Sequence, residues 1–153
     1  MNLLILLLFS AIIVLIFASQ VAGRLDRLHR RVSSVRSTLW RRCNERYEIV
    51  HKIPKIDVQN AADKAKRLAD QEMFSDEHLY AESELTRILK MHINTLDMQS
   101  AQIRLQDARR MYNEAVRATL YLRSWRISRW LRLSGRAIAP KYVDFDDSYL
   151  NEN

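Results

Sequence analysis

The sequence begins with an uninterrupted apolar segment, and this segment limits what the chain can fold into more than any other feature. Leu3 to Ala18 contains only Leu, Ile, Val, Phe, Ala and the polar Ser10, and no charged residue precedes Arg24. As an α-helix, the uncharged stretch of about 21 residues would measure about 31 Å, which is enough to cross the hydrocarbon core of a bilayer. We therefore predict a transmembrane anchor over residues 1–23.

Basic residues follow this segment at once, and none precedes it. This bias predicts that the N-terminus lies outside and that the rest of the chain is cytoplasmic. A cleaved secretory signal is the less favoured alternative, because the basic n-region is missing and the apolar core is long. The arginines nearest to the segment are candidates for contact with anionic lipid headgroups, namely Arg24, Arg27, Arg30 and Arg31.

Glycine and proline are scarce, with two of each in 153 residues. Because turns between strands depend on such residues, the composition favours long helices with few connections. After the membrane span, apolar residues recur every three or four positions, which is typical of a helix with one buried side, and Pro54 should end this helix. We predict a second helix over 57–71, and Ser75, followed by two acidic residues, is the expected N-cap of a third.

A long helical pattern then extends from Asp76 to about Leu133. Its length predicts an interruption near 92–97, where Asn94 and Asp97 are poor helix formers and fit a local cap. The residues predicted to face the core in this part of the chain are apolar or small, namely Leu79, Leu85, Leu89, Ile93, Leu96, Ile103, Ala108, Met111, Ala115 and Leu122.

These patterns predict an all-α fold, in which one N-terminal transmembrane helix continues into an antiparallel bundle of three or four helices. The cytoplasmic bundle would occupy residues 24–139. Residues 140–153 are acidic and contain aromatic side chains. We expect them to form an extended tail that is partly docked through Tyr142 and Phe145.

Motifs for catalysis or cofactor binding are missing from the sequence. It contains no glycine-rich phosphate loop and no nucleophile elbow, and its four histidines do not form a ligand set. His78 and Glu82 lie one helical turn apart, but two ligands do not make a metal site, so a surface histidine beside a carboxylate is the favoured interpretation. The single cysteine, Cys43, lies on an apolar helix side and is interpreted as core filler. We expect a protein that is not an enzyme and holds no cofactor or metal.

Aromatic and basic residues are interspersed in the segment YLRSWRISRWLRLSGR, residues 121–136. Trp125 and Trp130 are candidate membrane-surface residues, because Trp prefers the membrane interface and Arg side chains can reach phosphates. The apolar residues do not share one helix side, so packing at the end of the bundle is favoured over binding to the interface. Nucleic-acid binding is not expected, because no recognition fold is visible in the pattern.

Three segments resemble the LemA family of bacterial membrane-anchored helical proteins. The segment ARRMYNEAVR resembles the family signature Arg-x-x-Tyr-Asn-x-Ala-Val through Arg109, Tyr112, Asn113, Ala115 and Val116. The segment LWRRCNERYEIV is similar to a second family segment through Leu39, Arg41, Arg42, Ile49 and Val50. PKYVDFDD resembles the close of the family sequence. The chain departs from the family where it has Gln102, Ile103, Leu120, Trp125 and Arg126.

The resemblance implies a single-span protein of the bacterial plasma membrane with a cytoplasmic helical bundle of coiled-coil character. It also implies a scaffold or adaptor, because family members are associated with other membrane proteins. The expected partners are the lipid bilayer, with its anionic headgroups, and a membrane protein or complex, and self-association is left open. The matched residues would have a structural role in helix packing, and Asn113 would be a buried amide that fixes helix register. The alternative function is a peripheral binder or remodeller of anionic membrane through the Arg-rich and Trp/Arg segments.

Overall fold

The computed structural model describes residues 2–92, 95–131, 133, 135 and 137–147, and only the backbone of Asn2, His92 and Ile127. This part of the chain is mainly helical and contains no strand. The helices are α1 (Asn2–His51), α2 (Ile56–Gln71), α3 (Asp76–His92), α4 (Leu96–Ser124) and the short α5 (Arg126–Trp130). The predicted all-α fold is confirmed.

Local sequence signals set the helix boundaries between α1 and α3. α1 ends at His51, shortly before Pro54, and the Gln59 side chain donates a hydrogen bond of 3.3 Å to the His51 carbonyl. Ser75 caps α3, because its Oγ accepts a hydrogen bond of 3.3 Å from the backbone N–H of His78. The predictions for Pro54 and Ser75 are therefore confirmed.

The long helical pattern is interrupted in the predicted region. α3 ends at His92 and α4 begins at Leu96. Thr95 provides the cap of α4, since its Oγ1 accepts a hydrogen bond of 3.4 Å from the backbone N–H of Met98. The predicted contribution of Asn94 lies outside the described residues.

α1 contains the candidate membrane span. Among the described helices, α1 alone is long and apolar enough to cross a bilayer, judged by length and composition. Most of the large apolar side chains between Leu3 and Phe17 are exposed. An apolar surface of this extent is unfavourable in water and favourable in lipid. The helix therefore supports the predicted association with a membrane.

The chain forms two compact units, and both α1 and α4 contribute to each of them. Unit 1 comprises Met1–Ser34 and Glu114–Lys141, and unit 2 comprises Val35–Asn113 and Tyr142–Asn153. In unit 2, α2 and α3 pack against each other. Unit 1 has a small core of buried or partly buried apolar side chains, namely Val21, Leu25, Leu28, Leu122, Trp125 and Leu133.

The core of unit 2 is built from one side of each helix. α2 contributes small side chains, which allow neighbouring helices to approach closely, namely Val58, Ala62, Ala65 and Ala69. α1 contributes apolar residues predicted from their spacing. Four of them are almost completely buried, namely Leu39, Cys43, Tyr47 and Val50, and Val35 is partly buried. The prediction that Cys43 is a core residue is therefore confirmed, and burial raises the pKa of its thiol to about 11.

The buried side of α4 differs in part from the predicted one, although Ala108, Ala115 and Leu122 are buried as predicted. Leu96, Ile103 and Met111 were expected in the core and are 81%, 45% and 50% exposed. The prediction was wrong for these three residues. The buried side of α4 also contains the polar Gln102 and Thr119, so in the sequence it resembles a solvent-facing side. Ile93 lies outside the described residues. The inner side is formed by Met98, Ala101, Leu105, Ala108 and Tyr112.

Candidate partner-binding site

A cluster of polar side chains lies inside unit 2. Arg46 of α1 and Glu82 of α3 form an ion pair, and both side chains are completely buried. The other carboxylate oxygen of Glu82 accepts a hydrogen bond from the Tyr47 hydroxyl and lies 3.1 Å from Nε2 of His78. The attraction between the two charges offsets the desolvation penalty of burying each of them.

The Arg46 guanidinium also joins α4 to this cluster. Its Nη1 donates hydrogen bonds to Oγ1 of Thr86 at 3.0 Å and to Oε1 of Gln102 at 3.2 Å. Gln102 belongs to α4, so side chains from α1, α3 and α4 meet at one buried cation. A buried polar group that binds partners on several helices favours a single arrangement of the helices around it.

His78 is part of this buried cluster, so its predicted surface position is wrong. Its Nδ1 accepts a hydrogen bond of 3.0 Å from the backbone N–H of Phe74. The ring proton therefore resides on Nε2, which donates to Glu82. Burial, assisted by the positive charge of Arg46, lowers the pKa of His78 to about 4. Within the described residues, no three His, Cys, Asp or Glu side chains come together as a metal site.

We expect acid to destabilise the protein through His78 between pH 6.5 and pH 4. Its pKa of about 4 in the folded chain lies below the ordinary value of 6.5, so the unfolded chain binds more protons in this range. Stability should therefore decrease towards low pH, by up to about 1.4 kcal/mol per pH unit. Unfolding in mild detergent at a series of pH values measures the slope. His78→Asn should flatten it and the exposed His51→Asn should not, whereas an unchanged slope in His78→Asn would contradict the assignment.

The tail segment, residues 143–147, is extended and lies on α4. The Asn113 side chain pairs with the backbone of Val143, donating from Nδ2 to the carbonyl at 2.8 Å and accepting from the N–H at Oδ1 at 3.0 Å. Gln106 donates a hydrogen bond to the carbonyl of Asp147. Side-chain amides of α4 thus bind the tail backbone much as a neighbouring strand would.

Arg109 binds the acidic side chains of the tail segment. Its Nε and Nη2 bind the two carboxylate oxygens of Asp147 at 2.6 and 3.0 Å, and its Nη1 lies 3.2 Å from Asp144. The guanidinium carbon also lies 5.8 Å from the ring centroid of Phe145. A bidentate arginine–carboxylate pair is both strong and specific in geometry.

The side chains of the tail segment point alternately towards the protein and towards solvent. Val143, Phe145 and Asp147 are buried, and the two intervening aspartates are exposed. Such alternation is typical of an extended chain that packs against the protein along one of its two faces. Docking through Phe145 is confirmed, whereas Tyr142 is 51% exposed and its predicted docking is wrong, because the alternation places it on the outer side.

Gln102 connects the buried cluster to the tail segment. Its Oε1 accepts from Arg46, and its Nε2 donates to the carbonyl of Asp147 at 2.9 Å. A continuous series of polar contacts therefore runs from the inside of unit 2 to the tail. Gln102, Gln106, Arg109 and Asn113 follow one another at steps of three or four residues along one side of α4, and we call this side the α4 groove.

The motif residues fall into distinct environments. Two polar residues of the segment ARRMYNEAVR, Arg109 and Asn113, hold the tail segment. Asn113 thus binds tail backbone, whereas the sequence interpretation assigned it to helix register. Arg42 forms an ion pair of 2.6 Å with Glu45, and Arg41 is exposed. The remaining motif residues named above for their packing are buried, namely Leu39, Tyr112, Ala115 and Val116.

The candidate membrane-surface residues all belong to unit 1 but differ in exposure. Trp130 is 89% exposed, whereas Trp125 packs against the small core of that unit. Arg30 forms an exposed ion pair with Asp26. The four arginines after the apolar segment have exposed side chains, namely Arg24, Arg27, Arg30 and Arg31.

Sequence reasoning missed Arg46 and Gln102, although the spacing contains a signal for them. Arg46 lies between Cys43 and Val50 at the same three- and four-residue steps as the buried residues of α1. Gln102 lies between Met98 and Leu105, at the same three- and four-residue steps as the buried residues of α4. A charged residue at a core-facing step, with an opposite charge at a core-facing step of another helix, indicates a buried pair.

We expect Asn113→Ala to loosen the tail segment. The substitution removes two hydrogen bonds to Val143, which together contribute roughly 1–3 kcal/mol. Since each 1.4 kcal/mol is tenfold in an equilibrium, the tail should detach at least several times more often. Cleavage by a lysine-specific protease after the exposed Lys141, followed by mass spectrometry, measures this opening. The neighbouring exposed substitution Glu114→Ala should leave the cleavage rate unchanged, and equal rates in both variants would contradict the assignment.

Comparisons with known proteins found no relative of this chain. No protein-family model matches the chain, and no curated protein or solved structure is significantly similar to it.

Proposed function

We propose that this chain is a non-catalytic, single-span membrane adaptor whose helical bundle binds another membrane protein. The observation that carries this proposal is the α4 groove, which binds an extended segment through its backbone and its carboxylates. Such contacts are the usual means by which proteins recognise peptides. The exposed apolar N-terminal part of α1 would keep this recognition surface at the membrane.

The proposed topology has the N-terminus outside and the bundle in the cytoplasm. It rests on the basic residues that follow the apolar segment. We further propose a relation to the LemA family, and with it a bacterial plasma membrane, on the basis of the three matched segments. Two of these segments contact each other in this chain: Arg109 of the signature binds Asp147 of the close, and Asn113 binds Val143.

Cross-linking of the full-length protein in mild detergent, followed by purification and quantitative mass spectrometry, tests the adaptor function. We expect one dominant membrane protein in near-equal amount. Arg109→Ala should reduce its recovery, because an acidic partner segment in the α4 groove would need the same side chain that binds Asp147 of the tail. Arg110→Ala is the matched control, since it removes an exposed arginine next to it on the same helix. Recovery of self-cross-links alone would contradict the proposal.

A second candidate function, binding or remodelling of anionic membrane, is favoured by the surface of unit 1. A shallow groove there is lined by two arginines and one acid, namely Arg31, Arg117 and Glu114, together with Ala118 and Tyr121, and Trp130 is exposed. Each basic side chain held near an anionic surface contributes about 1 kcal/mol. Anionic lipid would then copurify with the protein and be lost above about 0.5 M salt. Equal retention of zwitterionic and anionic lipid would contradict this second function.

A further inference from the structure

The tail segment is bound mainly through atoms that every peptide has. The N–H and carbonyl of Val143 and the carbonyl of Asp147 are held by amide side chains of α4. The N–H of Asp146 donates a hydrogen bond of 2.9 Å to Oγ of Ser83 on α3. These contacts do not depend on the side chains of the tail. The same groove can therefore hold another extended segment with equally good backbone hydrogen bonds.

Three buried positions of the tail segment define which side chains such a ligand needs. The first holds Val143, the second holds Phe145 against the Arg109 guanidinium, and the third holds the carboxylate of Asp147. The exposed positions place a weaker demand on the ligand, because the ion pair between Arg109 and Asp144 is largely exposed to solvent. The groove therefore selects an aliphatic residue, an aromatic residue and an acidic residue at alternate positions.

An empty groove would be unfavourable for the protein. Gln102 and Gln106 donate to the tail carbonyl, and Asn113 is partly buried with both ends of its amide used by Val143. Departure of the tail exchanges these hydrogen bonds for hydrogen bonds to water, at a net cost of about 0.5–1.5 kcal/mol each. Departure of the tail is thus costly unless a second segment replaces the same hydrogen bonds.

We infer that the α4 groove is a receptor for an extended segment of a partner protein that carries the aliphatic–x–aromatic–x–acidic pattern, and that the chain's own tail occupies it until that segment displaces it. This inference rests on the proposed adaptor function. The acidic character of the ligand follows from charge complementarity with Arg109. Because the tail is tethered at a high effective concentration, it sets the affinity that a partner segment must exceed.

A synthetic fluorescent peptide, Lys-Tyr-Val-Asp-Phe-Asp-Asp, is the probe for this exchange. It has the sequence of residues 141–147. Fluorescence polarisation measures its binding to the full-length protein in detergent. The double variant Phe145→Ala/Asp147→Ala weakens the tail in cis, and Asp147→Asn is a milder variant. Both should bind the peptide at least about tenfold more tightly than the wild type, because each loses a tail contact that the peptide restores.

Substitutions in the groove show whether the peptide occupies it. Adding Arg109→Ala to the tail variant should weaken peptide binding about tenfold or more, whereas adding Arg110→Ala should not. Far-ultraviolet circular dichroism checks that helicity is retained in every variant. The inference is overturned if the tail variants do not bind the peptide, bind it no better than the wild type, or bind it independently of Arg109. Equal binding of a peptide with scrambled order also overturns it.

The outcome is separate from that of the adaptor experiment. A stoichiometric membrane partner whose recovery does not depend on Arg109 would support the adaptor function and overturn the groove as its receptor. Peptide exchange at the groove without a recovered partner would support peptide recognition and contradict the adaptor function.

Discussion

Replacement of Glu82 by Leu should destabilise the folded protein by about 3–5 kcal/mol. The substitution leaves the completely buried Arg46 guanidinium without its counter-charge, and it removes the acceptor used by Tyr47 and His78. Thermal and urea unfolding in mild detergent, monitored by circular dichroism, measures the loss. It is the largest effect expected for a single substitution in this chain.

The double variant Arg46→Met/Glu82→Leu provides the matched comparison. With both charges removed, no unpaired charge is left in the core, so the double variant should be clearly more stable than Glu82→Leu alone. The two substitutions are therefore expected to be strongly non-additive, as for residues in direct contact. Additive losses would show that the charges do not interact in the folded protein.

Leu39→Ala should destabilise the protein by about 2–5 kcal/mol, because it leaves a cavity at a completely buried position of α1. Leu39 belongs to one of the segments that resemble the LemA family, and the structure assigns it to the core. The same unfolding experiment in detergent measures the effect. The loss should appear as a lower transition midpoint with no change in the helicity of the folded state.

Arg41→Ala is the control for Leu39→Ala, since it lies in the same segment and its side chain is exposed. Its effect should stay within about 0.5 kcal/mol, as for surface substitutions in general. If Arg41→Ala were as destabilising as Leu39→Ala, the division of this segment into a packing residue and a surface residue would be refuted. A loss of partner recovery without a loss of stability would instead assign Arg41 to an interface.

The helices were predictable from the sequence because their signals are local. The spacing of apolar residues predicts α1, Pro54 marks the region where it ends, and Ser75 caps α3 through its own hydroxyl. These effects act over a few residues and depend little on the rest of the chain. The interruption before α4 was predictable for the same reason, although its cap is Thr95.

The inner side of α4 was not predictable in the same way. Ile103 and Met111 are apolar and exposed, whereas Gln102 is polar and buried. Periodicity assigns apolar residues to the inside, and it fails where a polar side chain is satisfied by partners from distant segments. Gln102 has such partners in Arg46 and in the carbonyl of Asp147.

Local properties of the sequence were thus sufficient for the helical class, the apolar N-terminal helix and most helix boundaries, because spacing and caps act over short distances. The environment of Glu82, the partner of Asn113 and the docking of Phe145 arise from residues that are far apart along the chain. Their positions depend on which long-range contacts satisfy buried charges and backbone groups. Only the packed tertiary structure brings those partners together, and it is this packing that creates the α4 groove.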